Sequence, residues 1–215
     1  MQILVANDDG VTSPLIKLLA QSLKRYGDVL VVAPNVHRSA TSQAIDFINH
    51  GKERITFVKE EDDIKYYAHP DYPTDSLLYV LDYFDFKPDL VVSGINIGTN
   101  IGDDVYYSGT VGIATAAALA KIDNFALSID KNYKDTDLKK LDEVVDYIIK
   151  NKFYHKDYVL NVNLPLNTSE INYQFCPLFS KFNDKYYLEK GYVTLTPIVL
   201  DRTDFKRLEI LKKKI

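Results

Sequence analysis

The chain has 215 residues, with 26 Lys plus Arg against 30 Asp plus Glu and a formal net charge of −4. That length suits one large domain, and the slight acidic balance argues against binding to a nucleic-acid duplex through a basic face. A hydrophobic share of 46% excludes wholesale disorder, and the single cysteine, Cys176, excludes an intrachain disulfide framework and a Cys-rich zinc site.

Ile3 to Ala6 is a short apolar run of the sort found in a buried parallel strand, cut off by Asp8 and Asp9. It is too short for the apolar core of a secretory signal, and no run approaches the ~18 apolar residues of a membrane span. With one cysteine, the expected location is the cytoplasm and no membrane partner is expected. Ser13-Pro14 marks a helix start, Ser as N-cap and Pro in the first turn, and Gly27 ends that helix. Val29 to Ala33 reads as a second buried strand.

Between Ala44 and Ala68, Ile45, Phe47, Ile55, Phe57, Val58, Ile64 and Tyr66 sit in short β-prone runs, expected to form a small antiparallel insertion. Thr74 or Asp75 then caps a helix carrying Leu77, Leu78, Val80, Leu81 and Phe84. Asp89 to Ser93 is a strand, Thr110 to about Lys121 an Ala-rich helix, and Phe125 to Ile129 a strand. Leu138 to Lys150 is an amphipathic helix capped by Thr136, and Tyr158 to Asn163 the next strand. This alternation predicts an α/β fold, a Rossmann-like, mostly parallel sheet with flanking helices. Beyond Pro165 come short strands at Ile171 to Phe175 and Tyr192 to Leu195, separated by the polar stretch Ser180 to Lys190. The tail from Asp201 to Ile215 is expected to be a helix packing on this chain or a neighbour, with Lys212-Lys213-Lys214 as its solvated end.

Three strand ends carry unusual polar residues, and open α/β sheets bind ligands at that edge. The first is Asn7-Asp8-Asp9-Gly10. Two adjacent carboxylates repel, so they need exposure, as in a solvated turn, or a hard divalent cation with oxygen ligands. The second is the loop Pro34 to Ser42 with Arg38-Ser39-Ala40-Thr41-Ser42, whose hydroxyls suit a metal, a phosphate or solvent. The third runs from Ser93-Gly94-Ile95-Asn96 through Asn100 to Tyr107-Ser108-Gly109-Thr110-Val111-Gly112, and holds five of the chain's 9 glycines. A Gly-rich loop entering a helix N-terminus presents free N–H groups to an anion. No standard nucleotide-binding glycine motif is present, and the four histidines lack metal-ligand spacing. Ser42 or Ser108 as a nucleophile would need a base, for which His37 is the near-sequence candidate.

Together these segments resemble the SurE family of metal-dependent 5′/3′-nucleotidases. The carriers are Asn7-Asp8-Asp9-Gly10, Ala33-Pro34 with Arg38-Ser39, the 93–104 block, and Tyr107-Ser108-Gly109-Thr110-Val111-Gly112. Pro73-Thr74-Asp75, Leu160-Asn161-Val162-Asn163-Leu164-Pro165 and Gly191 to Pro197 also match, so the likeness runs from residue 1 to about 200. The resemblance implies a single SurE-like α/β domain over 1–215, with 166–215 as a C-terminal extension used in oligomer contacts, giving a homodimer. It implies one divalent cation, Mg²⁺ or Mn²⁺, held by Asp8, Asp9, Ser39 and Asn96. Asp8, Asp9 and Asn96 would be catalytic, and Asn100, Ser108, Gly109 and Thr110 would bind the substrate phosphate. The implied reaction is hydrolysis of nucleoside 5′- and 3′-monophosphates.

The chain departs from the family pattern at Ala40 (usually Gly), Ala116-Ala117 (usually Glu-Gly) and His69-Pro70-Asp71-Tyr72 (commonly Gly-Thr). Cys176 to Asp184 is also very short where members carry a long hairpin arm. The trimmed arm motivates an alternative, a SurE-like protein that binds nucleotide or a partner without turnover. A receiver domain is disfavoured because the 90–93 strand ends without a phospho-accepting Asp. A haloacid-dehalogenase-type phosphatase needs Asp-x-Asp after the first strand, which Asn7-Asp8-Asp9 does not provide.

Overall fold

The first apolar run forms β1 (Gln2–Ala6), and Pro14 opens α1 (Pro14–Leu23). In chain order there follow β2 (Asp28–Pro34), β3 (Thr56–Glu61), β4 (Ile64–His69), α2 (Asp75–Tyr83), β5 (Leu90–Ile97) and α3 (Gly109–Leu119). Then come β6 (Asp123–Ile129), α4 (Leu141–Lys150), β7 (Tyr158–Leu164), β8 (Asn172–Phe175), α5 (Lys181–Glu189), β9 (Tyr192–Val199) and α6 (Phe205–Lys212). The structure, a computed structural model, describes residues 1–166, 170–178 and 181–212.

Among the described residues, nine strands form one sheet in the order β3-β4-β2-β1-β5-β6-β7-β9-β8. The run from β4 to β7 is parallel throughout. At the edges, β3 pairs antiparallel with β4, β9 antiparallel with β7, and β8 parallel with β9. The chain therefore winds outward from β1 in one direction and from β5 in the other. The strand order reverses between these two neighbours, which opens a crevice at their carboxyl ends.

The central strands are apolar on both sides because both faces are covered. Ile3 and Val5 of β1 pack into the core beneath α1 and α4, while Leu4 and Ala6 pack with α2 and α3. Ile113, Ala114, Ala117 and Ala118 of α3 are buried, and these mostly small side chains let the helix lie close to the sheet.

Several local expectations are revised. The antiparallel pair within 44–68 exists as β3 and β4, but β4 is also a parallel strand of the main sheet, because Ile64, Tyr66 and Ala68 point into the core beside α1. Ile45 and Phe47 lie outside any strand. Thr136 falls inside a 3-10 turn, Asp135–Lys140, so the α-helix starts only at Leu141. Ser13 and Thr74 occupy N-cap positions without a side-chain capping bond. The polar stretch after residue 180 contains a helix, α5. Ser180 and the Lys213-Lys214-Ile215 end of the tail lie outside the described residues. Among the described residues, no helix is long and apolar enough to cross a membrane.

Candidate active site

The reversal point between β1 and β5 gathers the polar residues singled out above. Asn7, Asp8 and Asp9 leave the end of β1, and Gly10 turns the chain with φ +100°. The Asn7 side chain is buried and accepts the Gly10 N–H at 3.0 Å, which shapes the turn. The Asp8 carbonyl accepts the Arg38 N–H at 2.7 Å, so the loop after β2 is tied to the acidic pair. That loop is pinned from its other end by Ser42, whose N–H donates to the Tyr107 carbonyl at 2.9 Å and whose hydroxyl donates to that of Tyr106 at 2.7 Å.

Asp8 is 4% exposed and accepts the Thr110 hydroxyl proton at 2.5 Å. Burial pushes its carboxyl above the ordinary value; the Thr110 bond opposes this and the Asp9 charge adds to it. Asp9 accepts the Ile97 N–H at 3.3 Å and lies 3.2 Å from Nδ1 of His37. Burial raises its carboxyl too, against the Ile97 and His37 contacts. Two buried neighbouring carboxylates in this state favour a nearby positive charge.

Ser108 caps α3, its hydroxyl oxygen accepting the Val111 N–H at 3.1 Å. The N–H groups of Gly109 and Thr110 begin the helix and have no carbonyl one turn behind them. Gly109 sits so near the acidic pair that a Cβ there would come within 2.9 Å of Asp8 Cβ. On the opposite side, β5 is irregular against β6 between Ser93 and Asn96, which re-aims Asn96 at its exit. Asn96 donates from its side-chain amide to the Gly98 carbonyl at 2.5 Å, which leaves Oδ1 as its oxygen ligand.

Asp8, Ser39, Asn96, Asn100 and Ser108 line one cleft of about 220 Å³, together with His37, Ala40, Ile97, Asp104 and Tyr107. Asp9 adjoins it through Ile97 and His37. Gly109 and Thr110 lie buried at the helix end behind Asp8, next to the cleft rather than in its lining. Ala40 holds φ +56°, in the left-handed region that favours glycine. Among the described residues no three His, Cys, Asp or Glu side chains cluster as a metal site. The set here mixes two carboxylates with a hydroxyl and an amide carbonyl. All four donors are oxygens, which fits a hard divalent cation.

Neither Ser42 nor Ser108 meets a base. Their hydroxyls engage the Tyr106 carbonyl and the Val111 N–H, while His37 faces Asp9. His37 as a neighbour of the acidic pair was missed by sequence reasoning, and so was the clamp beneath Asn100. The Asn100 N–H donates to Asn163 Oδ1 at 2.8 Å, and its carbonyl accepts from Asn161 at 2.8 Å and Asn163 at 3.1 Å. Its side-chain amide donates to Ser128 Oγ at 2.8 Å. The signal was present: asparagines at alternate positions of an otherwise apolar strand need buried partners.

The family model described as Survival protein SurE matches residues 3–185. A 5′-nucleotidase SurE from Clostridium botulinum (strain Eklund 17B / Type B) is 34% identical over 253 aligned positions, covering 99% of each chain. A 5′/3′-nucleotidase SurE from Wigglesworthia glossinidia brevipalpis is 39% identical over 172 residues, 77% of this chain and 64% of that one. The crystal structure of the SurE protein from Aquifex aeolicus superposes with a TM-score of 0.81 at 28% identity, covering 99% of this chain and 98% of the other. With the acidic pair, the Gly-rich loop and the sheet order all in place, the chain belongs to the SurE family.

Proposed function

We propose that this protein is a metal-dependent phosphomonoesterase that hydrolyses nucleoside 5′-monophosphates, and 3′-monophosphates as well. The observation that carries the reading is the bond from Thr110, at the start of α3, to Asp8. It brings a helix N-terminus suited to a phosphate against a buried carboxylate pair suited to a cation. The names of the relatives, 5′-nucleotidase and 5′/3′-nucleotidase SurE, support the substrate class.

Asp8, Asp9, Ser39 and Asn96 would hold Mg²⁺ or Mn²⁺, which when bound supplies Lewis-acid charge neutralisation and a water of lowered pKa. The N–H groups of Gly109 and Thr110, with the helix dipole, orient the phosphoryl group and stabilise charge developing on its oxygens. The Ser108 hydroxyl accepts from Val111 and retains its own proton to donate to a phosphate oxygen. Asn100 closes the cleft from the β5 side on a fixed backbone. In this reading either Asp8 or Asp9 takes a proton from the attacking water.

Residues 1–215 form one SurE-like domain in this reading, with 166–215 as an extension that joins two copies into a homodimer. The apolar Phe205, Leu208, Ile210 and Leu211 of α6 are exposed, and a partner subunit would cover them. The free cysteine, Cys176, accords with a cytoplasmic location.

The test is phosphate release from a panel of nucleoside monophosphates by EDTA-stripped protein, with and without Mn²⁺ or Mg²⁺. Metal should restore release. Asp8→Asn and Asp9→Asn should each lose metal binding and about 100-fold or more in turnover together. Full metal occupancy with undiminished turnover in both variants would overturn the assignment, and nucleotide binding without any release would favour the non-hydrolytic alternative.

A further inference from the structure

A second depression of about 600 Å³ lies on the same carboxyl edge of the sheet, beyond the ends of β5, β6 and β7. It is separated from the phosphate cleft by one residue of backbone. Asn100 lines the cleft, and its neighbours Thr99 and Ile101 line this cavity. Asn161 and Asn163 hydrogen-bond the Asn100 backbone of this partition from below. The far wall is the last turn of α5, with Leu188 half-buried.

Its size falls within the range of small-molecule sites, and its lining has the usual mixture of apolar walls and a few polar groups. Ile101, Leu188 and the edge of the largely buried Leu164 give the cavity its apolar contact. Asp130 enters at the end of β6. Its Oδ1 is taken by the Asn132 N–H at 2.8 Å and the Asn132 side chain at 2.9 Å, so Oδ2 remains as an acceptor. A nucleoside needs such a combination: apolar surface for the base and an acceptor for its hydroxyls or amine.

We propose that this cavity seats the nucleoside portion of the substrate, with the base between Leu188 and Leu164 and the phosphate across the Asn100 partition at the α3 N-terminus. The proposal rests on the nucleotidase reading for the phosphate cleft. It adds that α5, the chain's own short segment, forms the wall that selects nucleotides over smaller phosphomonoesters.

The experiment compares the metal-loaded wild type with Leu188→Trp, which narrows the cavity, and Leu188→Ala, which cuts back its α5 wall. Each is titrated with adenosine alone and inorganic phosphate alone by calorimetry, and KM is measured for adenosine 5′-monophosphate. For Leu188→Trp, adenosine affinity should fall and KM rise about tenfold or more, with phosphate affinity within about twofold of wild type. Leu188→Ala should weaken adenosine by about threefold or more and also spare phosphate. This second variant decides the matter if the tryptophan variant does not fold. Unchanged adenosine affinity in the folded variants, or an equal loss for phosphate, would overturn the proposal. Adenosine binding that depends on Leu188 in a protein releasing no phosphate would sink the hydrolytic reading and leave this one standing.

Discussion

Gly109 sets how closely α3 approaches the acidic pair. A methyl group there would meet Asp8 Cβ at 2.9 Å, Asp8 Oδ2 at 3.0 Å and Pro73 Cγ at 3.1 Å. Pro73 is a rigid ring and Asp8 is held by Thr110, so the strain would fall on the helix end or on the carboxylate. Gly109→Ala should therefore reduce kcat/KM for a nucleoside monophosphate by about tenfold or more, since displacements near 1 Å at a reacting centre carry penalties of that size. Global stability should change far less, because the contact is local. Steady-state kinetics beside a thermal melt would separate the two, and wild-type kinetics in the variant would contradict the argument. The acidic pair and the Gly-rich loop were legible in the sequence because each is costly without a purpose: adjacent carboxylates repel, and glycines weaken structure unless a turn or a close approach needs them. His37 was not legible as a partner of Asp9, because the contact exists only once the loops after β1 and β2 converge.

At the level of elements, β7 does more than extend the sheet. Its Asn161 and Asn163 side chains, both nearly inaccessible, hold the loop after β5 from across β6. Asn163→Leu fits an apolar site by volume but leaves the buried Asn100 N–H without its acceptor. An orphaned buried donor costs about 1–3 kcal/mol, so the melting temperature should drop by about 3–10 °C. Phosphate release should fall as well, because Asn100 lines the cleft. A melting temperature within a degree of wild type would show that the loop is held by other contacts. The same chemistry explains which elements the sequence revealed. Parallel strands buried on both faces read as apolar runs, so β1, β2, β5, β6 and β7 stood out. β4 alternates exposed Lys65 with buried Ile64 and Tyr66, so it resembled a peripheral hairpin strand, and only its pairing with β2 places it in the sheet. The α5 sequence is polar and carries little helical periodicity, so nothing local announced it.

Across the whole molecule, the segment linking β4 to α2 sets up two opposing pH responses. His69 is 1% exposed, and burial lowers its pKa to about 4, against the pull of Asp71. From 6.5 down to about 4 the unfolded chain takes up a proton that the folded one refuses, so this group removes about 3 kcal/mol of stability as pH falls. Asp75 is fully buried, and burial raises its pKa to about 6, although the N–H groups of Asp46 and Tyr72 oppose the shift. Between about 6 and 3.8 the folded chain holds a proton that the unfolded one has released, so this group adds about 3 kcal/mol as pH falls. The two terms nearly cancel in the wild type. Asp75→Asn keeps an amide oxygen for the Tyr72 and Asp46 N–H groups but no longer titrates. Its stability relative to wild type should therefore decline steadily from pH 6.5 to pH 4, exposing the His69 term. Urea unfolding of both proteins across that range isolates the difference from every shared titration. Parallel stability profiles would mean that Asp75 ionises as freely in the folded chain as in the unfolded one.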